Sequence, residues 1–200
     1  MNTMSSQTRK YELKVRADQQ RETRDRIARC AAELHEEVGV ARTTVAEIAR
    51  RAGVSRLTVY NHFPDLESLL PACAAHYETV HPRPDLAEEL AVADDAGRVT
   101  AVLHRLYAWH RETQPMFGKV YSDRQAVPEV DRFLAATVDL QQDDVAARLA
   151  ASLGAGTTGQ RALVRLAVDY WTWARLDAEG LDDRAAAEVM TWAVLSAPGR

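Results

Sequence analysis

Apolar residues recur along this chain at steps of three and four. Ile27, Ala31, Leu34 and Val38 are spaced four, three and four apart, one buried stripe on a helix predicted over about Asp18–Val38. Gly39 stops it. The next start signal is Thr44-Val-Ala-Glu47, in which Thr44 caps a free N–H and Glu47 reaches back to the cap residue. Val45, Ile48, Ala49 and Ala52 then face inward, and Gly53 ends a helix of about two turns. Ser55 caps another short helix, Arg56 to about His62, and Pro64 breaks it. Asp65 caps a further helix, whose apolar residues Leu66, Leu69, Leu70, Cys73 and Tyr77 keep the helical step. No strand alternation is visible, so the predicted fold class is all-α.

Two prolines in His81-Pro82-Arg83-Pro84 cannot continue a helix. The chain therefore divides into a flexible basic arm over 1–17, a small helical unit over 18–81 and a helical body over 82–200. The arm carries Arg9, Lys10, Lys14 and Arg16. In the body, helices are predicted over about Asp94–Thr113, in a short piece after Pro115, and from Pro128 to about Leu153. Two more run over about Thr158–Glu179 and Asp182–Leu195.

The two short helices joined by Gly53-Val54-Ser55 have the dimensions of a helix-turn-helix, over about 44–63. Gly53 tolerates the positive φ of the turn. Ala49 and Ala52 are small, so the helices lie close. Val54, Val59 and Phe63 fasten the second helix to the core, which leaves Arg56, Leu57, Thr58, Tyr60, Asn61 and His62 pointing outward. Such a helix fits the major groove of DNA, about 12 Å wide. Arg56 in the first turn reaches base edges, and Leu57 meets a thymine methyl. Thr44, Thr58, Tyr60 and His62 suit phosphate oxygens, as do the helix N-termini that Thr44 and Ser55 cap. A solvated helical hairpin is the alternative reading of the same spacing.

Charge adds to this picture. The 200 residues carry a net charge of −4. Residues 1–64 hold twelve Lys and Arg against eight Asp and Glu, whereas 65–200 hold thirteen against twenty-one. A basic head on an acidic body hints at polyanion binding at one end. Composition, 46% apolar and 27% charged, is that of a globular protein. No run approaches the roughly 18 apolar residues of a membrane span, and the N-terminus shows no secretory h-region. Cys30 and Cys73 sit among apolar helical neighbours and are expected to be buried thiols of a cytoplasmic protein.

At these residues the sequence resembles the TetR family of transcriptional regulators. The stretch TTVAEIARRAGVSRLTVYNHFPDLESLL carries the family pattern at Thr44, Ile48-Ala49, Ala52-Gly53-Val54-Ser55, Thr58, Tyr60, His62-Phe63, Glu67 and Leu69. The likeness covers about Thr23–Leu70. One position departs from it: where the family often has a lysine that meets a phosphate, this chain has Leu66. The resemblance implies a C-terminal helical domain that dimerises and binds a small effector, with the last two helices packing against their symmetry mates. Candidate interface residues are Leu163, Leu166, Tyr170, Ala174, Val189 and Trp192. Candidate effector contacts are Tyr107, Trp109, His110, Met116, Phe117, Tyr121, Asp169 and Trp173, aromatic with a few polar groups. Core packing is the alternative for both sets.

Catalytic signatures are not matched. His35-Glu36 begins like HExxH, but Gly39 stands where the second histidine belongs. His104 and His110 are six apart, about 120° around a helix, a poor metal pair. No cofactor or metal is expected. The reading is a homodimeric repressor, bound to a palindromic double-stranded operator and released by a small-molecule effector. Its rivals are a ligand-independent DNA-binding protein with a structural body and, more distantly, a helical enzyme or scaffold.

Overall fold

The computed structural model describes residues 3–154 and 156–197, with side chains from Tyr11 onward. Every regular element among the described residues is an α-helix. In chain order these are α1 Thr3–Val38, α2 Val45–Ala52, α3 Arg56–His62, α4 Leu66–Val80, α5 Ala87–Leu90 and α6 Asp95–Asp123. They continue with α7 Pro128–Ala136, α8 Val138–Ser152, α9 Thr158–Val168, α10 Tyr170–Ala178 and α11 Asp183–Leu195. Among the described residues no helix is long and apolar enough to cross a membrane.

The chain forms two compact units. The first comprises the residues up to Val80 together with Pro115–Asp131. Its core takes Ile27, Ala31 and Leu34 from α1, Ile48, Ala49 and Ala52 from α2, and Val59 from α3. Phe63, Leu69, Cys73 and Met116 complete it. All of these but Met116 are inward positions that helical spacing picks out, and Ala28, Cys30 and Ala32 of α1 are buried beside them. Each fully buried branched or aromatic side chain contributes about 1.5–3 kcal/mol of transfer free energy.

The second unit comprises His81–Gln114 and the chain from Arg132 on. Its buried residues include Val99, Leu103 and Tyr107 on α6, Leu149 on α8, Val164 on α9, Trp173 on α10 and Val194 on α11. Arg111 ties three of these helices together. It donates to Asp177 at 2.7 Å and to both oxygens of Asp183 at 3.1 and 3.0 Å. Trp173 Nε1 also donates to Asp183, at 3.1 Å. Burial works against the charge on Asp183, yet the hydrogen bonds from Arg111 and Trp173 hold its carboxyl below the ordinary range.

Several boundaries differ from those the sequence predicts. α1 begins at Thr3, so the flexible arm expected over 1–17 is helical from there on; Met1, Asn2 and the side chains of Arg9 and Lys10 lie outside what is described. The segment is rich in good helix formers and grows outward from a formed helix, which needs no new nucleus. α6 runs through Pro115 without ending. Trp109, His110 and Thr113 before it and Met116 after it are all buried, and that packing outweighs a proline's cost of about 3 kcal/mol. The expected helix over 128–153 is divided at Thr137, and that over 158–179 at Asp169. Pro115–Asp131 joins the first unit rather than the body.

Candidate DNA-binding surface

The helix-turn-helix is built by local signals that act as their residue types predict. Thr44 caps α2, its Oγ1 accepting from Glu47 N at 3.2 Å. Gly53 ends α2 with φ 66° and ψ 36°, the left-handed geometry that glycine adopts at no steric cost. Gly53 N donates to Arg50 O and Val54 N to Ala49 O, at 3.3 and 3.0 Å. Ser55 caps α3, its Oγ accepting from Thr58 N at 3.0 Å. The Ser55 and Thr58 hydroxyls are also paired, at 2.8 Å. Asp65 caps α4 through Ser68 N at 2.8 Å. One expected contact is replaced: Glu47 pairs with Arg50, at 3.0 and 2.5 Å, instead of reaching back to Thr44. The guanidinium offers two charged donors, which outcompete a single amide.

α3 is buried along one line and open along the rest. Val59 is 1% exposed and Phe63 3%. Arg56, Leu57, Tyr60 and Asn61 are exposed, and Thr58 and His62 are half-buried. Leu57 at 69% and Tyr60 at 51% exposure put large side chains in water. Thr44, at the start of α2, is exposed as well. The predicted contact residues are therefore accessible, Thr58 and His62 in part and the others more fully. Leu66 does not join them. It packs against the core of the first unit, which accounts for an apolar residue there.

Reading the sequence missed what α1 brings to this surface. An open groove of about 540 Å³ runs beside α3, lined by Gln20, Arg21 and Arg24 from α1 and Thr58, Asn61 and His62 from α3. α1 also reaches the end of α2: Arg26 Nε donates to Ala52 O at 3.0 Å, and Arg51 of α2 meets Glu37 of α1 at 2.6 and 2.8 Å. The available signal was the pair of arginines flanking Ile27, the first residue of the buried stripe.

The model of bacterial regulatory proteins of the tetR family matches residues 27–73. These are the residues that build the caps, the turn and the core just described. Over these residues the chain matches the TetR family. The uncharacterized HTH-type transcriptional regulators Rv2250c of Mycobacterium tuberculosis and Mb2274c of Mycobacterium bovis are each 55% identical over 49 residues. That match spans 24% of this chain and 26% of each relative. A Rhodococcus sp. protein assigned to the TetR-family transcriptional regulators has a similar fold, with a TM-score of 0.59 at 17% identity. The likeness covers 88% of this chain and 98% of that one.

The aromatic and polar residues put forward as effector contacts divide between the units. Met116, Phe117 and Tyr121 lie in the first, where Met116 is buried and Tyr77 meets the Phe117 ring edge-on at 6.3 Å. Tyr107, Trp109, His110, Asp169 and Trp173 lie in the second. There His110 stands 5.6 Å from the Trp109 ring and 5.7 Å from that of Trp173. His110 is 2% exposed, its Nδ1 has no partner, and burial pushes its pKa down to about 4.

The interface candidates also separate. Leu166, Val189 and Trp192 are 54%, 45% and 71% exposed, and Trp171 and Leu195 are 51% and 37%. Leu163 and Ala174 are half-buried. Tyr170 is 2% exposed and packs 5.5 Å from Trp173. It is a core residue, because the break at Asp169 turns α10 relative to the periodicity of an unbroken helix. Among the described residues no group of three or more His, Cys, Asp or Glu could hold a metal ion.

Proposed function

We propose that this protein is a sequence-specific DNA-binding transcriptional regulator. The observation that carries the reading is the accessible face of α3, anchored from behind by Val59 and Phe63. Arg56 and Leu57 read base edges in the major groove. Thr44, Tyr60 and His62 contact phosphates, with the capped starts of α2 and α3 adding backbone N–H groups. Asn61 completes the polar face. No chemical step belongs to this reading.

The finer mechanism is a two-fold dimer acting as a repressor. The exposed apolar side chains Leu166, Val189 and Trp192 support self-association, since so much apolar surface is rarely left in water. A two-fold dimer would set two copies of α3 about 34–36 Å apart, one turn of DNA, and so favour a palindromic operator. Occupying a promoter blocks polymerase. An effector that prefers a second state would release the DNA, and the coupling equals its difference in affinity for the two states. The unpartnered Nδ1 of His110 supports a polar contact with such an effector. The dense ring packing around His110 favours a rival reading, a body that is structural only.

Selection of DNA from a random pool by the purified protein tests the reading. Enrichment of a palindrome with half-sites about one helical turn apart is expected. A protein that enriches nothing over the starting pool does not read sequence, and the proposal falls.

A further inference from the structure

Two arginines of α1 hold the C-terminal ends of both motif helices. At about 100° per residue, Arg24 and Arg26 stand on opposite sides of Ile27, about 60° and 100° from it. Ile27 is wholly buried, and both arginines are half-buried. Arg26 Nε donates to the carbonyl of Ala52, the last residue of α2, at 3.0 Å. Arg24 Nη1 donates to the carbonyl of His62, the last residue of α3, at 2.5 Å. The Arg24 guanidinium also lies 4.0 Å from the centre of the Phe63 ring.

These contacts fall where the helices cannot satisfy themselves. The last carbonyls of any helix lack an internal partner. At the end of α2, Gly53 N and Val54 N take Arg50 O and Ala49 O; at the end of α3, Phe63 N takes Val59 O. Ala52 O and His62 O are the carbonyls that the arginines reach. A cation there also meets the negative end of the helix dipole. α3 has seven residues, too few to be stable alone. Its direction depends on what grips its ends.

We propose that Arg24 is a positioning residue for DNA recognition: gripping His62 O and the Phe63 ring, it sets the angle at which the face of α3 enters the groove, as Arg26 does for α2. The proposal rests on the DNA-binding reading above. It differs from a phosphate contact, which would act on DNA directly and carry its signature in salt dependence.

The test uses the full chain and the sequence that wild-type protein selects. Arg24→Ala should weaken binding to that site by about tenfold, the size of one charged hydrogen bond, with discrimination between sites reduced. The slope of log affinity against log salt should stay at the wild-type value, because no phosphate contact is lost. Arg24→Lys keeps a cation at the helix end but offers no flat face to Phe63, and should lose about threefold; it covers the case in which the alanine variant folds poorly. Amide exchange on DNA-free protein should be faster at Phe63 in Arg24→Ala and unchanged at Cys73.

Three results overturn the proposal. A slope reduced by about 0.9 would make Arg24 a phosphate ligand. Full affinity with a lowered melting temperature would make it a stabilising residue only. Unchanged exchange at Phe63 would show that Arg24 does not hold the helix. Failure of the DNA-binding reading itself looks different, since wild type and variants would then all select nothing.

Discussion

The Tyr107 hydroxyl donates to the carbonyl of Ala167 at 2.7 Å, at the point where one helix stops and the next begins. Asp169 sits between α9 and α10 in an extended conformation, φ −73° and ψ 137°. Its Oδ1 accepts from Trp171 N at 2.8 Å and Thr172 N at 3.2 Å. In an unbroken helix those N–H groups would pair with Ala167 O and Val168 O. Tyr107 takes the first carbonyl, and His110 Nε2 lies 3.4 Å from the second. Since a carbonyl only accepts, Nε2 carries the proton and Nδ1 is a bare acceptor. Three side chains thus replace two backbone hydrogen bonds.

Removing Tyr107's hydroxyl strands the Ala167 carbonyl, and removing Asp169's carboxylate strands the N–H groups of Trp171 and Thr172. Tyr107→Phe should lower the unfolding free energy by about 1–3 kcal/mol. Asp169→Ala should cost about 1 kcal/mol as a lost cap. Urea titrations of both variants check this, and a Tyr107→Phe protein as stable as wild type would show that the contact contributes nothing.

Gly53 and Gly39 make a matched pair for backbone strain. Both have positive φ, 66° and 85°. A Cβ at Gly53 would meet nothing within 4 Å, so Gly53→Ala should cost only the left-handed penalty, about 1–2 kcal/mol. A Cβ at Gly39 would lie 2.6 Å from Asp123 Oδ2, the atom that also accepts from Ala41 N at 3.0 Å. Gly39→Ala should therefore be the more destabilising, and thermal melts of the two variants side by side decide it.

Two buried histidines make the fold sensitive to acid. Burial pushes the pKa of both His35 and His110 down to about 4, from an ordinary value near 6.5, with Asp123 opposing the shift at His35. Between those values the unfolded chain binds protons that the folded chain does not. Stability from these groups is therefore present above about pH 6.5 and lost as pH falls towards 4, by up to roughly 3 kcal/mol for each. Urea midpoints at pH 7 and pH 5 measure it. His35→Gln and His110→Gln should each flatten the dependence; an unchanged slope in both would assign acid sensitivity to other groups.

Arg56 and Tyr60 carry different roles under the proposed function. Arg56→Ala should reduce discrimination at one or two base positions by about 1–3 kcal/mol. Tyr60→Phe should weaken all sites alike, because a phosphate contact holds no sequence information. Binding measured across single-base variants of the selected site separates them. Unaltered preference in Arg56→Ala would remove Arg56 from base reading.

Trp192 tests the proposed dimer. At 71% exposure it contributes little to the core of its own unit, so Trp192→Arg should leave the melting of an isolated chain nearly unchanged. It should instead raise the dimer dissociation constant by at least about tenfold, the scale of an interfacial tryptophan hot spot. Sedimentation over a range of concentrations reads this directly.

Local chemistry was legible from residues alone. Thr44, Ser55 and Asp65 announced helix starts, Gly53 announced a left-handed turn, and the Ile27–Leu34 and Ile48–Ala52 spacings named the buried faces. Each depends on neighbours within about four residues, the range over which a cap, a turn or a helical stripe is defined. The family match rested on the same short stretch, which is why it covers a quarter of the chain and says less about the body.

The rest needed contacts between residues far apart in sequence. Arg24 can be seen to stand beside the buried stripe, yet nothing near it names residues 62 and 63 as what it grips, nor does the neighbourhood of Pro115 reveal buried packing strong enough to carry a helix through it. Asp169 reads as one more helical residue until Tyr107 and His110 arrive to take the carbonyls that its cap leaves behind. Spacing identified Tyr170 as apolar, but which way it turned was decided by that break. Short-range patterns specify which elements a chain can form; where they end, bend and join depends on the free energy of long-range packing, which no local window contains.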